Sequence, residues 1–278
     1  MSGKLYLVGT PIGNLGDISP RALRTLENAD FIAAEDTRVT LRLLNHFNIK
    51  KPLVSYYEHN SKRSGERILE RLLAGESCAL VTDAGMPSVS DPGEELAARC
   101  AAAGVEISAV PGPSAAVTAL ALSALPSGRF TFEGFLSTSG KSRREHLESL
   151  RGERRTMIFY EAPHKLVRTL ADLRDAFGGE RRCALCREMT KLHEEVIRCT
   201  LGEAAGMYGE DSPPRGEFVI VVAGAEQASE QPSLETALAR IRELRAGGSS
   251  LKEACRITAG ETGFSKNELY ELALRSKD

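Results

Sequence analysis

The chain has 278 residues, of which 42% are hydrophobic and 27% are charged. This ordinary globular mixture excludes intrinsic disorder as the main state, and the length predicts about two domains. The 36 lysines and arginines nearly balance the 38 aspartates and glutamates, so the formal net charge is −2. Binding to nucleic acid through bulk positive charge is therefore excluded, and any such contact needs a local patch.

Two apolar runs are candidates for a transmembrane helix or a signal peptide. The longest, residues 115–122, falls well short of the roughly 20 residues that span a bilayer. The run at residues 5–8 opens directly into a loop rich in glycine and proline, unlike a signal peptide. We therefore expect a cytoplasmic protein without a transmembrane helix.

The six cysteines of the chain are typical of buried, reduced thiols, since no export signal accompanies them. Cys183 and Cys186 form a lone C-x-x-C pair, and no second pair lies at the spacing of a zinc finger. Both fall in an apolar run that predicts a strand, which favours buried strand residues over metal ligands. We predict no metal site.

Residues 1–125 alternate short apolar runs with longer amphipathic ones, a pattern that predicts five strand–helix repeats. The predicted strands are residues 5–9, 31–34, 53–56, 79–82 and 105–110, and the predicted helices are 20–28, 39–47, 64–73, 92–103 and one from about 114. Such alternation is typical of a five-stranded parallel sheet with helices on both faces. Ligands of these sheets bind beyond the carboxyl ends of the strands.

Unusual residues follow all five predicted strands. The loops are residues 9–16, 35–38, 56–60, 83–93 and 111–115. Because they meet at one edge of the sheet, together they predict a ligand site. The first loop lacks the glycine spacing of a nucleotide fingerprint, which argues against a Walker-type NTPase and a dinucleotide enzyme. Gly9 and Gly13 instead suggest close approach of the backbone to a ligand.

Residues 126–225 predict a second domain. The predicted strands are residues 130–135, 156–160, 182–187, 194–200 and 218–222, with helices at 144–150 and from 163 to about 177. Adjacent strands without intervening helices favour a mixed-sheet α+β domain. The cleft between the two domains is the default place for a ligand.

The end of the chain predicts a small helical domain at residues 233–278, after a polar linker at 225–232. Its helices are expected at residues 233–245, 250–259 and 265–275. The pattern fits a helix-turn-helix, and a helical cap or a dimerisation element remains an equal alternative.

Charge is unevenly distributed along the chain. Residues 37–72 hold eight basic and three acidic groups, a balance of +5, whereas residues 73–125 hold one basic and six acidic groups, a balance of −5. Residues 141–155 carry +3. Basic segments of this kind suit a phosphate-rich partner, although solvated helix faces with local pairs would look the same.

Several motifs resemble a known family. They are residues 8–15, 35–38, 83–93, 111–115, 132–136, 160–164, 187–191 and 215–219. Their order and sequence resemble the bacterial small-subunit ribosomal RNA cytidine ribose 2′-O-methyltransferases, within the tetrapyrrole-methylase-like class of S-adenosylmethionine enzymes. The C-terminal helices are similar too, so the likeness covers nearly the whole chain. Where tetrapyrrole methylases carry Gly-Asp-Pro, this chain has Gly85-Met86-Pro87, which favours the RNA branch.

The resemblance implies domains at 1–125 and 126–225 with S-adenosylmethionine in the cleft, a homodimer, and small-subunit ribosomal RNA or the assembled subunit as partner. Carried over by position, the cofactor would contact residues of both domains. These are Pro11, Gly85, Met86, Val89, Ser114 and Ala115 from the first domain, and Leu136, Ala162 and Leu192 from the second.

A ribose hydroxyl is a poor acid, so a nearby base should assist its attack. The candidates are Glu35, Asp36, Glu161 and Lys191, although Glu161 could equally be a helix cap. Arg38, Arg42, Lys62 and Arg63 are the predicted phosphate contacts. Two alternatives are the same fold acting on a tetrapyrrole-like small molecule or a protein side chain, and a nucleic-acid-binding module with a degenerate enzyme domain.

Overall fold

The computed structural model describes residues 3–226 and 233–275. The chain divides between Ala225 and Glu226 into two compact units, and each is described by itself. Most of the predicted linker and the last three residues of the predicted C-terminal domain lie outside the described residues. Within the described residues, none of the helices is both long and apolar enough to cross a membrane.

The first sheet has five parallel strands in the order β3-β2-β4-β1-β5. The strands are β1 Lys4–Val8, β2 Phe31–Ala34, β3 Leu53–Ser55, β4 Cys78–Val81 and β5 Glu106–Val110, and the helices that follow them are α1 Pro20–Asn28, α2 Thr37–His46, α3 Ser61–Leu73, α4 Gly93–Ala102 and α5 Ala115–Ser123. The predicted parallel sheet is thus confirmed.

Strand residues of this sheet alternate between two cores. Ile32 packs with α1 and α2 through Leu26 and Leu44, whereas Phe31 packs with α3 and α4 through residues such as Leu72 and Leu96. The helices therefore cover both faces, as predicted. Because α1 and α4 lie on opposite faces, the carboxyl ends of neighbouring β1 and β4 flank a crevice, the usual ligand position in such sheets.

The second sheet is mixed, as predicted, with the order β6-β7-β10-β8-β9. Its strands are β6 Phe130–Phe135, β7 Thr156–Glu161, β8 Arg182–Arg187, β9 Glu195–Thr200 and β10 Phe218–Val222, and its helices are α6 Gly140–Ser149, α7 Pro163–Phe177 and α8 Leu201–Met207. Strands β6 and β7 are parallel, and the other neighbours are antiparallel. Helix α8 was not predicted.

Helix α5 follows β5 along the chain but packs on the second sheet. Its Ala119 and Leu120 are buried against Ile158 of β7 and Val221 of β10. Helices α7 and α8 cover the opposite face of that sheet. Residues 111–114 therefore carry the backbone from one sheet to the other.

Cys183 and Cys186 lie in β8 with buried side chains, which confirms the predicted buried strand. The cysteines of the chain are free. The Sγ atom of Cys183 lies 3.7 Å from that of Cys199, its cross-strand partner in β9.

The C-terminal unit contains α9 Leu234–Ala246, α10 Leu251–Thr262 and α11 Lys266–Arg275. Ser233 and Ser250 cap the first two helices by accepting backbone N–H groups, as expected for serine at this position. Ala237, Ala254 and Leu269 share a small apolar core. The predicted three helices are confirmed over the described residues.

Candidate functional site

The loops after β1 and β4 are joined by a two-residue bridge. Thr10 and Gly85 exchange backbone hydrogen bonds of 2.9 and 3.1 Å, and Thr10 Oγ1 donates to the Thr82 carbonyl at 3.1 Å. Gly85 has a φ of +88°, a conformation that favours glycine. The bridge fixes the two loops that flank the central crevice.

Gly9 brings a third loop to the same point. A Cβ atom built on Gly9 would lie 2.7 Å from Gly112 Cα and 2.7 Å from Met86 Sδ, closer than such atoms can approach. Packing within the chain therefore requires glycine here, because Gly9 lets the loops after β1 and β5 touch. The approach of Gly9 to a ligand stays a prediction.

The loop after β4 is held in a strained shape by Asp91. One carboxylate oxygen accepts the N–H groups of Ser88 and Gly93 at 3.0 and 2.7 Å, and the other accepts that of Val89 at 3.1 Å. Ser88 and Ser90 both have φ near +67°, at +68° and +66°. Strain of this kind at non-glycine residues persists where surrounding contacts enforce it, often at ligand sites.

A strained loop of the second sheet faces the first sheet across the cleft. Glu188 and Thr190 have φ of +50° and +66°, and Lys191 donates to Glu188 and Glu217 at 2.8 Å each. A Cβ on Gly13 would lie 2.6 Å from Lys191 Cγ. The loop after β1 therefore touches the loop after β8.

A cavity of about 410 Å³ lies between the two sheets at these loops. It is lined by Ile12, Ala84 and Ala115 from the first half of the chain, and by Phe135, Tyr160, Glu161, Ala162, Pro163, Met189, Glu217, Phe218 and Val219 from the second. Its walls are mostly apolar, with a few polar groups, as in small-molecule sites.

Two of the predicted cofactor contacts, Ala115 and Ala162, line this cavity. Pro11, Gly85, Met86 and Ser114 lie in the loops that converge beside it, and Val89 is exposed in the Asp91 loop. Leu136 buries its side chain in the core of the second sheet, whereas the side chain of Leu192 is 92% exposed. The structure thus brings eight of the nine to the converging loops or the cavity wall, with Leu192 in the loop after β8, and turns the side chain of Leu136 into a core.

Asp36 caps α2 and pairs with Arg38. Its carboxylate accepts the Arg38 backbone N–H at 2.8 Å and the guanidinium Nε and Nη2 at 3.1 and 2.7 Å. The hydrogen bonds from the Arg38 side chain lower the pKa of Asp36 to about 2. A carboxylate of this pKa is a weak base, so Asp36 mainly orients α2 and Arg38.

Glu35 and Asp83 occupy the neighbouring strand ends. Glu35 Oε2 accepts the Thr82 hydroxyl at 2.7 Å, and Asp83 Oδ1 accepts the Asp36 N–H at 3.1 Å. Partial burial, together with the charges of Glu35 and Asp36, raises the pKa of Asp83. Sequence reasoning did not single out Asp83, although it lies two residues after the end of β4.

The other two predicted bases lie on the second sheet. Glu161 is 4% exposed and lines the cavity. Partial burial acts to lower the pKa of Lys191, but its hydrogen bonds to Glu188 and Glu217 outweigh this and raise it. Lys191 is therefore protonated near neutral pH and serves to tie its loop together.

The predicted phosphate contacts lie on two neighbouring helices. Arg38 and Arg42 are on the first turns of α2, and Lys62 and Arg63 are on the first turn of α3, all with exposed side chains. Both turns follow strand ends at the ligand edge of the sheet. Residues 50–51 precede β3 at the opposite edge, so the basic segment is divided between the two edges.

Most cavity-lining residues beyond Glu161, Ala162 and Ala115 were not predicted. Tyr160 is one, and its hydroxyl accepts the Ala116 N–H at 3.1 Å; burial raises the pKa of this phenol. Met189 and Glu217 are others. Each belongs to a motif that the sequence comparison had singled out, but nothing in the sequence states which side chains face inward.

The fold and cleft place the chain in a class of methyltransferases. Residues 4–205 match the model of the tetrapyrrole (corrin/porphyrin) methylases. The uroporphyrin-III C-methyltransferase of Thermus thermophilus has a similar structure, with a TM-score of 0.57 and 24% identity, over 79% of this chain and 94% of that one. Diphthine synthase has a TM-score of 0.60 and 15% identity, over 80% and 90% of the two chains. These likenesses show the fold.

The curated relatives are more specific. The chain is 47% identical to ribosomal RNA small subunit methyltransferase I of Synechocystis sp., over 98% of both chains. It is 46% identical to the protein of that name in Pseudomonas aeruginosa, over 99% of this chain and 98% of the relative. Residues 231–277 match the RsmI C-terminal HTH domain. The chain therefore belongs to the ribosomal RNA small subunit methyltransferase I family, as the sequence motifs predicted.

Proposed function

We propose that the protein transfers a methyl group from S-adenosylmethionine to the 2′-hydroxyl of a cytidine ribose in small-subunit ribosomal RNA, in the cytoplasm. The observation that carries this proposal is the position of the cavity: it opens where loops of both sheets converge, at the sheet edge that also presents Arg42, Lys62 and Arg63. The names of the curated relatives support ribosomal RNA as the substrate.

The cavity fits the cofactor in size and chemistry. Its volume of about 410 Å³ lies within the range of drug-sized ligand sites. Apolar walls suit an adenine, and Glu161 suits a hydrogen-bond donor. In the neighbouring loop, Ser88 has a buried hydroxyl without a hydrogen-bond partner among the described residues. Residues 84–89, 114–115 and 160–162 would hold the cofactor, which supplies a methyl group activated on a sulfonium.

Catalysis by these residues is mainly positioning, because direct transfer of the methyl group asks little covalent work of the protein. Of the acids at the first sheet edge, Glu35 and Asp83 can accept a hydrogen bond from the ribose hydroxyl, whereas Asp36 is occupied by Arg38. Asp83, with its raised pKa, is the better matched to take a proton.

The exposed cations supply the RNA contact. Arg42, Lys62 and Arg63 make no ion pair among residues 3–226 and 233–275, so they can bind phosphates without first losing a partner. A nucleotide must leave its stack to reach the cavity, which costs least in an exposed loop of the RNA. The assembled small subunit and the free RNA are both substrates to test.

A homodimer is part of the proposal. Val117 on α5 is 56% exposed, on a helix that has few polar residues on any face, and a second copy of the chain would cover it. Sedimentation of the purified protein at several concentrations tests this part separately.

The function is tested by mapping ribose methyl groups in ribosomal RNA from a strain that lacks the gene, with and without the wild-type gene restored. We expect one cytidine of the small-subunit RNA to lose its 2′-O-methyl group and to regain it. An unchanged methylation map overturns the proposal. In parallel, the purified protein is incubated with labelled S-adenosylmethionine and either small subunits, free RNA, a uroporphyrinogen-type tetrapyrrole or bulk protein.

The alternatives are distinguished by the same assays. Label in the tetrapyrrole or in protein would support a small-molecule or protein acceptor. Failure to bind S-adenosylhomocysteine in calorimetry at millimolar concentration would support a nucleic-acid-binding module. The proposed function is supported by label in the RNA together with measurable binding of S-adenosylhomocysteine.

A further inference from the structure

A buried chain of hydrogen bonds leads to the cavity from behind the second sheet. Arg143 Nη2 donates to Thr169 Oγ1 at 2.7 Å, and Thr169 Oγ1 donates to Glu161 Oε2 at 2.5 Å. All three residues are at most 5% exposed. They come from α6, α7 and the end of β7. The hydrogen bonds therefore connect three elements and end at Glu161, the one of the three residues that lines the cavity.

The direction of this chain is fixed by the chemistry of its groups. A guanidinium has five N–H donors and no acceptor, so Thr169 must accept from Arg143. The single hydroxyl proton of Thr169 is then left for Glu161. The other carboxylate oxygen, Oε1, accepts the Ala162 N–H at 2.9 Å. Both oxygens of Glu161 therefore accept hydrogen bonds from the protein, which fixes the orientation of the carboxylate.

Arg143 is itself held from a second side. Its Nε donates to Asp172 Oδ2 at 2.6 Å, and its Nη1 donates to the Ser137 carbonyl at 3.4 Å. A buried guanidinium needs such partners to offset its loss of water. Asp172 is one-third exposed, so this series of hydrogen bonds runs from the protein surface to the cavity wall.

We propose that Arg143, acting through Thr169, is a positioning residue that presents Glu161 to the cavity as an oriented carboxylate, and that Glu161 receives an N–H or O–H donor of the bound cofactor. The inference rests on the proposed function, since it takes the cavity to be the S-adenosylmethionine site. It gives Glu161 the role of a cofactor ligand in place of the predicted general base.

Calorimetry with S-adenosylhomocysteine on the full-length protein tests the inference without turnover. Thr169→Val removes the hydroxyl and keeps the shape of the side chain, and we expect it to weaken binding about ten-fold, as when a carboxylate loses a donor that orients it. Thr169→Ser restores the hydroxyl and should bind like the wild type. Arg143→Lys keeps the charge but loses the planar fork, so its affinity should fall between the two.

A second readout follows Glu161 without any ligand. In Thr169→Val, hydrogen exchange at the Ala162 N–H should become faster, because its acceptor is no longer held from the other side. If these hydrogen bonds have only a structural role, Thr169→Val should lower the free energy of unfolding but leave the affinity of the folded protein for S-adenosylhomocysteine unchanged. That combination would overturn the inference and leave the proposed function intact. Failure of the wild type to bind S-adenosylhomocysteine overturns both.

The donor group on the cofactor is identified with 5′-methylthioadenosine, which lacks the amino-acid portion. If Thr169→Val weakens the binding of S-adenosylhomocysteine but not that of 5′-methylthioadenosine, Glu161 accepts a hydrogen bond from the α-ammonium group. Equal weakening of both assigns the contact to the nucleoside. Either result supports the inference, whereas wild-type affinity for both compounds contradicts it.

Discussion

The hydroxyl of Tyr160 accepts the backbone N–H of Ala116 at 3.1 Å, and so ties the end of β7 to the first turn of α5. The first N–H groups of a helix have no partner within the helix, so this hydrogen bond gives one of them an acceptor. The ring of Tyr160 lies edge-on to Phe132 and Phe135, with centroids 4.9 and 5.6 Å away. Tyr160 therefore joins the apolar wall of the cavity to the helix that begins there.

Replacing Tyr160 with phenylalanine should remove this connection and keep the ring. We expect the free energy of unfolding to fall by about 1 kcal/mol, the usual net value of one buried hydrogen bond, measured by urea denaturation. Tyr208→Phe is the control, since the Tyr208 ring also packs against a phenylalanine but its hydroxyl makes no hydrogen bond among the described residues. Equal losses in both variants would contradict the prediction.

Gly9→Ala should disturb the contact between the loops after β1 and β5. The new Cβ would lie 2.7 Å from Gly112 Cα, and relieving such overpacking typically costs about 1–3 kcal/mol. Gly206→Ala is the control: a Cβ there has nothing within 4 Å and sits within α8, where alanine should stabilise by about 0.5–1 kcal/mol. Denaturation midpoints should move in opposite directions, and a stable Gly9→Ala would argue against the close approach.

Asp91→Ala should release the strained loop after β4. Three backbone N–H groups lose their acceptor, and Ser88 and Ser90 are then free to leave their positive φ values. We expect affinity for S-adenosylhomocysteine to fall by at least about ten-fold, equivalent to roughly 1.4 kcal/mol. Asp91→Asn, which retains one acceptor oxygen, should lose less, and equal affinity in all three proteins would contradict a role for the loop.

Asp36 should contribute to stability in a pH-dependent way. Its pKa is lowered from 3.8 to about 2 by Arg38, so the contribution is present above about pH 4 and is lost as the pH falls towards 2. Asp36→Asn keeps a capping oxygen and removes the charge. The difference in free energy of unfolding between the two proteins should be constant from pH 7 to 5 and shrink below pH 4. A difference that grows on acidification would contradict the assignment.

Removing three exposed cations at the ligand edge should weaken RNA binding in a salt-dependent manner. For Arg42→Gln, Lys62→Gln and Arg63→Gln combined, the slope of log K against log salt should fall by about 2, at roughly 0.7 per phosphate of a single strand. The control removes Lys4 and Arg182, the first residues of β1 and β8, and Arg174 in the last turn of α7. An equal change of slope in both variants would argue against a localised RNA contact.

The sequence predicted both sheets because their strands are short apolar runs bounded by glycine, proline and polar residues. It could not predict α8, since Leu201–Met207 follows β9 without a loop and includes two glycines. The available signal was the capping box of Thr200 and Glu203, in which each side chain accepts the other residue's backbone N–H.

The candidate site was predicted at the level of loops but only partly at the level of side chains. The position of the loops could be predicted, because the carboxyl ends of parallel strands all lie at one edge of the sheet. Whether a side chain turns to the cavity depends on packing, as Leu136 in the core and Leu192 in solvent illustrate. The roles of Asp36 and Lys191 likewise depended on partners, Arg38 and Glu217, that spacing alone does not assign.

The placement of α5 on the second sheet determines how the cleft can open. Since α5 moves with the second sheet, the covalent hinge between the two lobes is confined to residues 111–114, where prolines at 111 and 113 restrict backbone rotation. Gly112, between them, is pressed against Gly9, so a wide swing would also break that contact. Residues 111–114 are therefore poorly suited to act as a hinge that separates the two lobes.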